Sequence, residues 1–87
     1  MSEPVAEPRR EPRVTLISRP GCHLCDEARA VIAAVTAELG EEFVEVDLHD
    51  DPTYPERYGE LVPVTFVDGA QHDYWRVSAD RLRAELS

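Results

Sequence analysis

Val14-Thr15-Leu16-Ile17-Ser18, then Arg19-Pro20-Gly21, then Cys22-His23-Leu24-Cys25: this stretch decides the fold. Its first five residues are a short apolar run with β-branched members, the pattern of a buried strand. Arg19-Pro20-Gly21 punctuates it. From His23 to Leu39, the apolar residues Leu24, Ala28, Val31, Ile32, Val35 and Leu39 fall on one helical face. Gly40 then terminates the helix. The only two cysteines of the chain therefore lie where a strand gives way to a helix. Unpaired N–H groups and the dipole at a helix N-terminus favour a thiolate at Cys22. Cys25 is close enough to resolve a mixed disulfide formed there. Asp26 and Glu27 oppose a thiolate, so a moderately acidic thiol is expected.

Working outward, Phe43-Val44-Glu45-Val46-Asp47-Leu48 alternates as a second strand. Between Asp50 and Gly59, Pro52 opens a short helix with Asp51 as its cap and Gly59 as its end. Val64-Thr65-Phe66-Val67 is a third strand, and Asp68-Gly69 signals a hairpin. Gln71 to Val77 forms the fourth strand. Tyr74 and Trp75, adjacent on it, should face opposite sides, one to the core and one to the surface. Ser78 caps a last helix, Ala79 to Leu86, with Leu82 and Leu86 on one face. The expected class is α/β, in the order β-α-β-α-β-β-α. A four-stranded mixed sheet flanked by helices results, with a parallel pair from the first β-α-β unit and an antiparallel edge from the hairpin.

Residues 1–12 are rich in Pro, Glu and Arg, cannot offset their ordering entropy by burial, and read as a disordered tail. Residues 13–87 then form one domain. With 87 residues, one small core is all the chain can build. The net charge is −9, and all nine basic residues are Arg. That balance argues against nucleic acid, which needs a basic surface, and against an anionic membrane. Two cysteines cannot form the disulfide framework of a small secreted scaffold, and neither a secretory signal nor a membrane span is evident. A cytoplasmic protein, monomeric, is the expectation.

The segments Ser18-Arg19-Pro20-Gly21-Cys22-His23-Leu24-Cys25-Asp26-Glu27-Ala28, Leu61-Val62-Pro63-Val64 and Val67-Asp68-Gly69 resemble glutaredoxins, above all the small glutaredoxin-like proteins of the thioredoxin superfamily. The resemblance spans roughly residues 13–86. It implies a thioredoxin-like fold and a thiol–disulfide oxidoreductase, with Cys22 as the attacking thiol and Cys25 as the resolving thiol. It further implies that Pro63 is a cis-proline facing the dithiol, and that Val62 offers its backbone N–H and C=O to a substrate as an added strand. Arg19 stands where such proteins commonly carry Lys, and keeps a positive charge near the thiol. His23, beside Cys22, is a second candidate to meet thiolate or substrate.

No bound cofactor is expected, and the partners are a disulfide-containing protein or a low-molecular-weight thiol. Glutathione is the reductant that the resemblance suggests. However, the usual Gly-Gly turn after the fourth strand is replaced by Trp75-Arg76-Val77-Ser78-Ala79-Asp80, which removes the room for a glutathione backbone and leaves Asp80 as the carboxylate on offer. The alternative function is a non-enzymatic binding or scaffold domain that uses the cysteine pair for metal or packing. Zinc would need two further ligands, and His49 and His72 are isolated in sequence. An iron–sulfur cluster shared between two copies, held by Cys22 and outside thiols, is a further use that the resemblance suggests.

Overall fold

The structure is a computed structural model that describes residues 12–87. Apart from Pro12, the expected tail lies outside the described residues. The elements are β1 (Val14–Ser18), α1 (His23–Leu39), β2 (Phe43–Asp47), a 3-10 turn (Leu48–Asp50), α2 (Tyr54–Tyr58), β3 (Val64–Val67), β4 (Ala70–Tyr74) and α3 (Ala79–Leu86). The strands lie in the order β2-β1-β3-β4. β1 runs parallel to β2 and antiparallel to β3, and β4 closes the sheet antiparallel to β3. This is the mixed sheet, flanked by helices, that the sequence pattern implies.

Alternation along β1 divides the core in two. Val14 and Leu16 point to one face and pack with Val67, with Ala28, Ile32 and Val35 of α1, and with Leu82 and Leu86 of α3. Ile17 points to the other face and packs with Val64, Leu48, Val62 and the two cysteines, with Tyr54 and Tyr58 of α2 at the edge. The long helices thus cover one face. The five-residue α2 and the 3-10 turn share the other.

Local chemistry explains where the elements end. α1 has the expected bounds. Its stop is Gly40, at φ +71° in the left-handed region that glycine enters without a Cβ penalty, and Glu41 N–H closes the turn on Thr36 C=O at 2.8 Å. α3 starts at Ser78, whose hydroxyl accepts from Arg81 N–H at 3.2 Å.

Four expected bounds move, one of them the start of β4, which lies at Ala70 instead of Gln71. β2 stops at Asp47, because that carboxylate accepts from His49 N–H at 2.7 Å and Asp50 answers on Asp47 N–H at 3.0 Å, so Leu48 begins a 3-10 turn. α2 opens at Tyr54 rather than Pro52. Pro55 lacks an N–H and is accommodated only in the first turn, and Asp51 caps the preceding turn through Thr53 N–H at 2.8 Å. β4 ends at Tyr74 instead of running to Val77, since the register shifts beside Thr65 and Phe66 and Trp75 then turns to φ +63°. Tyr74 and Trp75 do not divide between core and surface. They are 48% and 50% exposed, and their rings meet edge to face at 5.1 Å.

Arg13, just before β1, ties several ends together. Its guanidinium donates to both carboxylate oxygens of Asp68 in the β3–β4 turn at 2.9 Å. It also reaches Glu41 at 3.3 Å and the Leu86 carbonyl at 3.2 Å.

Candidate active site

β1 delivers the chain to one end of the sheet, and Gly21, at φ +70°, turns it into α1. Cys22 is the residue before the first helical turn, in an extended conformation, and its Sγ accepts the Cys25 N–H at 3.1 Å. A sulfur thus fills the role that a Ser or Asp oxygen usually has at a helix start, a position that stabilises negative charge on it. The two cysteines are joined as a disulfide, with Cα atoms 5.1 Å apart. Cys22 keeps 8% of its surface open and Cys25 none. Of the pair, only Cys22 retains any exposed surface.

The Val62–Pro63 peptide bond is cis. Val62 is buried in the same apolar cluster as Cys22 and Cys25, so the two segments that are far apart in sequence meet. One detail departs from expectation. The Val62 N–H already donates to Tyr58 C=O at 2.9 Å, so within this structure it is not open to an added strand. The neighbouring carbonyls of Leu61 and Pro63 both accept from Trp75 N–H, at 3.3 and 2.7 Å. Among the described residues the Val62 carbonyl has no such backbone partner.

Arg19 is exposed and has no ion pair among the described residues. The His23 side chain is 87% exposed and turned along α1 toward Glu27, with Nε2 3.3 Å from its carboxylate. The two acidic residues expected to oppose a thiolate are each offset. Asp26 pairs with Arg29 at 2.8 Å, and Glu27 pairs with Arg76 at 3.0 Å. Arg76 and Trp75 were not among the expected binding residues, yet the structure brings both to this end of the molecule. The signal available was their replacement of a Gly-Gly pair. Among the described residues no three His, Cys, Asp or Glu side chains gather as a metal set. Zinc on Cys22 and Cys25 would have to draw other ligands from a second molecule or from outside the described residues.

An ion-pair network joins α1 to the sheet. Arg29 grips Glu45 of β2 through two hydrogen bonds, at 2.6 and 2.7 Å, and Ser18 at the end of β1 donates to the same carboxylate. Arg29 holds the Glu45 carboxyl below its usual range, burial opposes this, and Ser18 adds to the lowering. A carboxylate depressed in the folded chain contributes stability above its unfolded pKa, near ~4.3, and loses it as pH falls through the folded value. Arg29→Met is therefore expected to cost roughly 1 kcal/mol at neutral pH, and less at pH 3. Urea midpoints at the two pH values check this; an equal deficit at both would refute the ion-pair account.

Residues 13–87 match the family model described as Glutaredoxin-like domain (DUF836). The chain is 32% identical to an uncharacterized protein of Mycobacterium tuberculosis, over 87% of this chain and 84% of that one. It is similar to the X-ray structure of protein XcR50 from X. campestris, at 38% identity and a TM-score of 0.69, covering 84% of this chain and 93% of that one. The solution structure of protein Ne2328 from Nitrosomonas europaea matches at 25% identity and a TM-score of 0.75, over 94% of this chain and 100% of that one. A thioredoxin of Fasciola hepatica, at 20% identity and a TM-score of 0.54 over 84% and 75% of the two chains, shows the fold alone. With a C-x-x-C pair at the start of α1, a buried Val-Pro beside it and a family match over nearly all the described residues, the chain belongs to the glutaredoxin-like domain family, with a thioredoxin-like fold.

Proposed function

We propose that the protein is a thiol–disulfide oxidoreductase acting through the Cys22–Cys25 pair. The observation that carries this reading is the asymmetry of the pair: Cys22 accepts the Cys25 N–H on its sulfur at the start of α1 and the residue keeps some open surface, while Cys25 is fully buried. In the reduced protein the Cys22 thiolate attacks one sulfur of a substrate disulfide. That S–S bond breaks, a thiolate leaves and takes a proton from water, and a mixed disulfide forms on Cys22. The Cys25 thiolate then attacks Cys22 Sγ. The substrate sulfur departs as the second thiolate, and the Cys22–Cys25 disulfide closes. Two electrons have passed from protein to substrate, and an external thiol reductant returns them.

In this reading Val62 and Pro63 form the wall against which a substrate backbone lies, with the Val62 carbonyl as its hydrogen-bond acceptor. Arg19 and His23 supply cationic character at the approach. The substrate is a disulfide-bearing protein or small disulfide, in the cytoplasm, and no prosthetic group takes part. Trp75 and Arg76, in place of a Gly-Gly turn, disfavour glutathione as the docked reductant.

The test is a redox titration. The protein is equilibrated in graded ratios of reduced and oxidised dithiothreitol, and its free thiols are counted by alkylation and intact mass. A reversible two-electron transition that includes both Cys22 and Cys25 is expected. A pair that never cycles, or a reduced protein that retains stoichiometric metal through purification, sinks the proposal in favour of a binding domain.

A further inference from the structure

A pocket of about 340 Å³ opens between α2 and the sheet, on the face opposite α1 and α3. Neither cysteine lines it, nor does Val62 or Pro63, so it lies outside the site described above. Thr15 and Ile17 of β1 and Phe66 of β3 form its sheet side, with Thr15 and Phe66 paired across the two strands. Tyr54, Arg57 and Tyr58 form its helix side, three and four residues apart, which puts them on one side of α2. We propose that this pocket binds a small aromatic monocarboxylate, with its ring against Ile17, Tyr58 and Phe66 and its carboxylate on Arg57.

Charge selects the polar end of the ligand. Arg57 is the only charged residue in the lining. Arg13, Arg29, Arg76, Arg81 and Arg83 each hold a carboxylate at 3.3 Å or closer, whereas Arg57 has no ion pair among the described residues. Asp51 feels the Arg57 charge, but its carboxylate is taken by the Thr53 N–H and hydroxyl, both at 2.8 Å. A guanidinium left without a partner, in a chain with eighteen acidic and nine basic residues, offers its planar fork to a carboxylate from outside. The net charge of −9 admits a single negative charge more readily than a phosphate dianion.

Shape selects the body. α2 has only five residues and none of them is buried, so it does not close over the strands beneath it. Thr15, Tyr54, Tyr58 and Phe66 are left half-buried. Tyr58 meets Tyr54 and Phe66 edge to face, with centroids 5.7 and 5.6 Å away. These rings brace one another, so little ordering is lost when a third ring enters. The volume lies at the lower end of the ~300–1,000 Å³ of sites that enclose a small molecule, enough for one ring and a short acid arm.

The test titrates the isotope-labelled full chain with phenylpropanoate, with the uncharged phenylpropanol, and with an acetylated tripeptide ending in Phe, while amide shifts are followed by two-dimensional NMR. Phenylpropanoate is expected to bind with a Kd of about 1 mM, in keeping with its few atoms. It should move the amides of Thr15, Ile17, Phe66 and Gly69, the last of which lines the pocket from the β3–β4 turn. The alcohol should bind about tenfold more weakly, because it lacks the charge-assisted pair with Arg57. In Arg57→Gln the acid should weaken by the same factor and the alcohol stay as it was. Arg57 is exposed, so that variant keeps its fold, which circular dichroism checks.

Absence of any shift with phenylpropanoate, shifts confined to residues outside the lining, equal binding of acid and alcohol, or undiminished acid binding in Arg57→Gln each overturns the proposal. Tighter binding of the tripeptide than of phenylpropanoate overturns it in favour of a peptide terminus. All of these outcomes leave the dithiol reading standing, since that reading rests on Cys22 and Cys25 and is tested by the redox titration.

Discussion

Cys22→Ser is expected to lower the rate of disulfide reduction by at least about a thousandfold, because a serine hydroxyl supplies no thiolate at neutral pH. Cys25→Ser should behave differently. It keeps the attacking sulfur and stalls one step later, as a covalent adduct visible by intact mass. The basis is geometric: Cys22 has open surface and carries the Cys25 N–H on its sulfur, whereas Cys25 is fully buried. Rates measured with a chromogenic aryl disulfide, beside mass spectra of each variant, separate the two roles. Full activity in Cys22→Ser, or adducts that accumulate on Cys25 instead, would reverse the assignment.

Ile32→Ala carries the largest expected effect on stability, a loss of about 2–5 kcal/mol. Ile32 is fully buried where α1 meets the sheet and α3, and removing its branches leaves a cavity that rigid neighbours on both sides cannot close. Domains of this size hold roughly 5–15 kcal/mol in total, so a large fraction is at stake. The melting temperature should fall by about 4–8 °C for each kcal/mol lost. Urea unfolding is the direct measurement, with a lower midpoint and an unchanged slope. A loss below about 1 kcal/mol would mean that α1 does not pack on this face as described.

How far the sequence could be read depends on how local each cause is. The bounds of α1 follow from a helical stripe between Cys22 and Gly40, and the Asp68-Gly69 turn and the Ser78 cap are equally local, so all were legible. The meeting of Cys22, Cys25 and Val62 at one end of the sheet was implied only by the family resemblance; its physical cause, the pairing that brings the end of β1 to the start of β3, is seen in the structure. What could not be read was imposed from a distance. Trp75 leaves β4 because the carbonyls of Leu61 and Pro63 draw its N–H, and no glycine advertises that turn. The Val62 N–H is taken by Tyr58, a bond that depends on where α2 ends, and α2 itself was shifted by Pro55. The pairing of Asp26 with Arg29 is a local helical spacing, but that of Glu27 with Arg76 joins residues 49 positions apart.

The Arg13 clamp has a practical consequence. By gripping the Asp68 turn and the Leu86 carbonyl together, it gathers both ends of the described domain at one pole. β1 leads from that pole to Cys22, and five extended residues span about 17 Å. Handle and working tip therefore occupy opposite ends of one short rod. A dye, a surface anchor or a fused partner attached near residue 13 or residue 86 is held a strand's length from the sulfur, which leaves the approach to Cys22 clear.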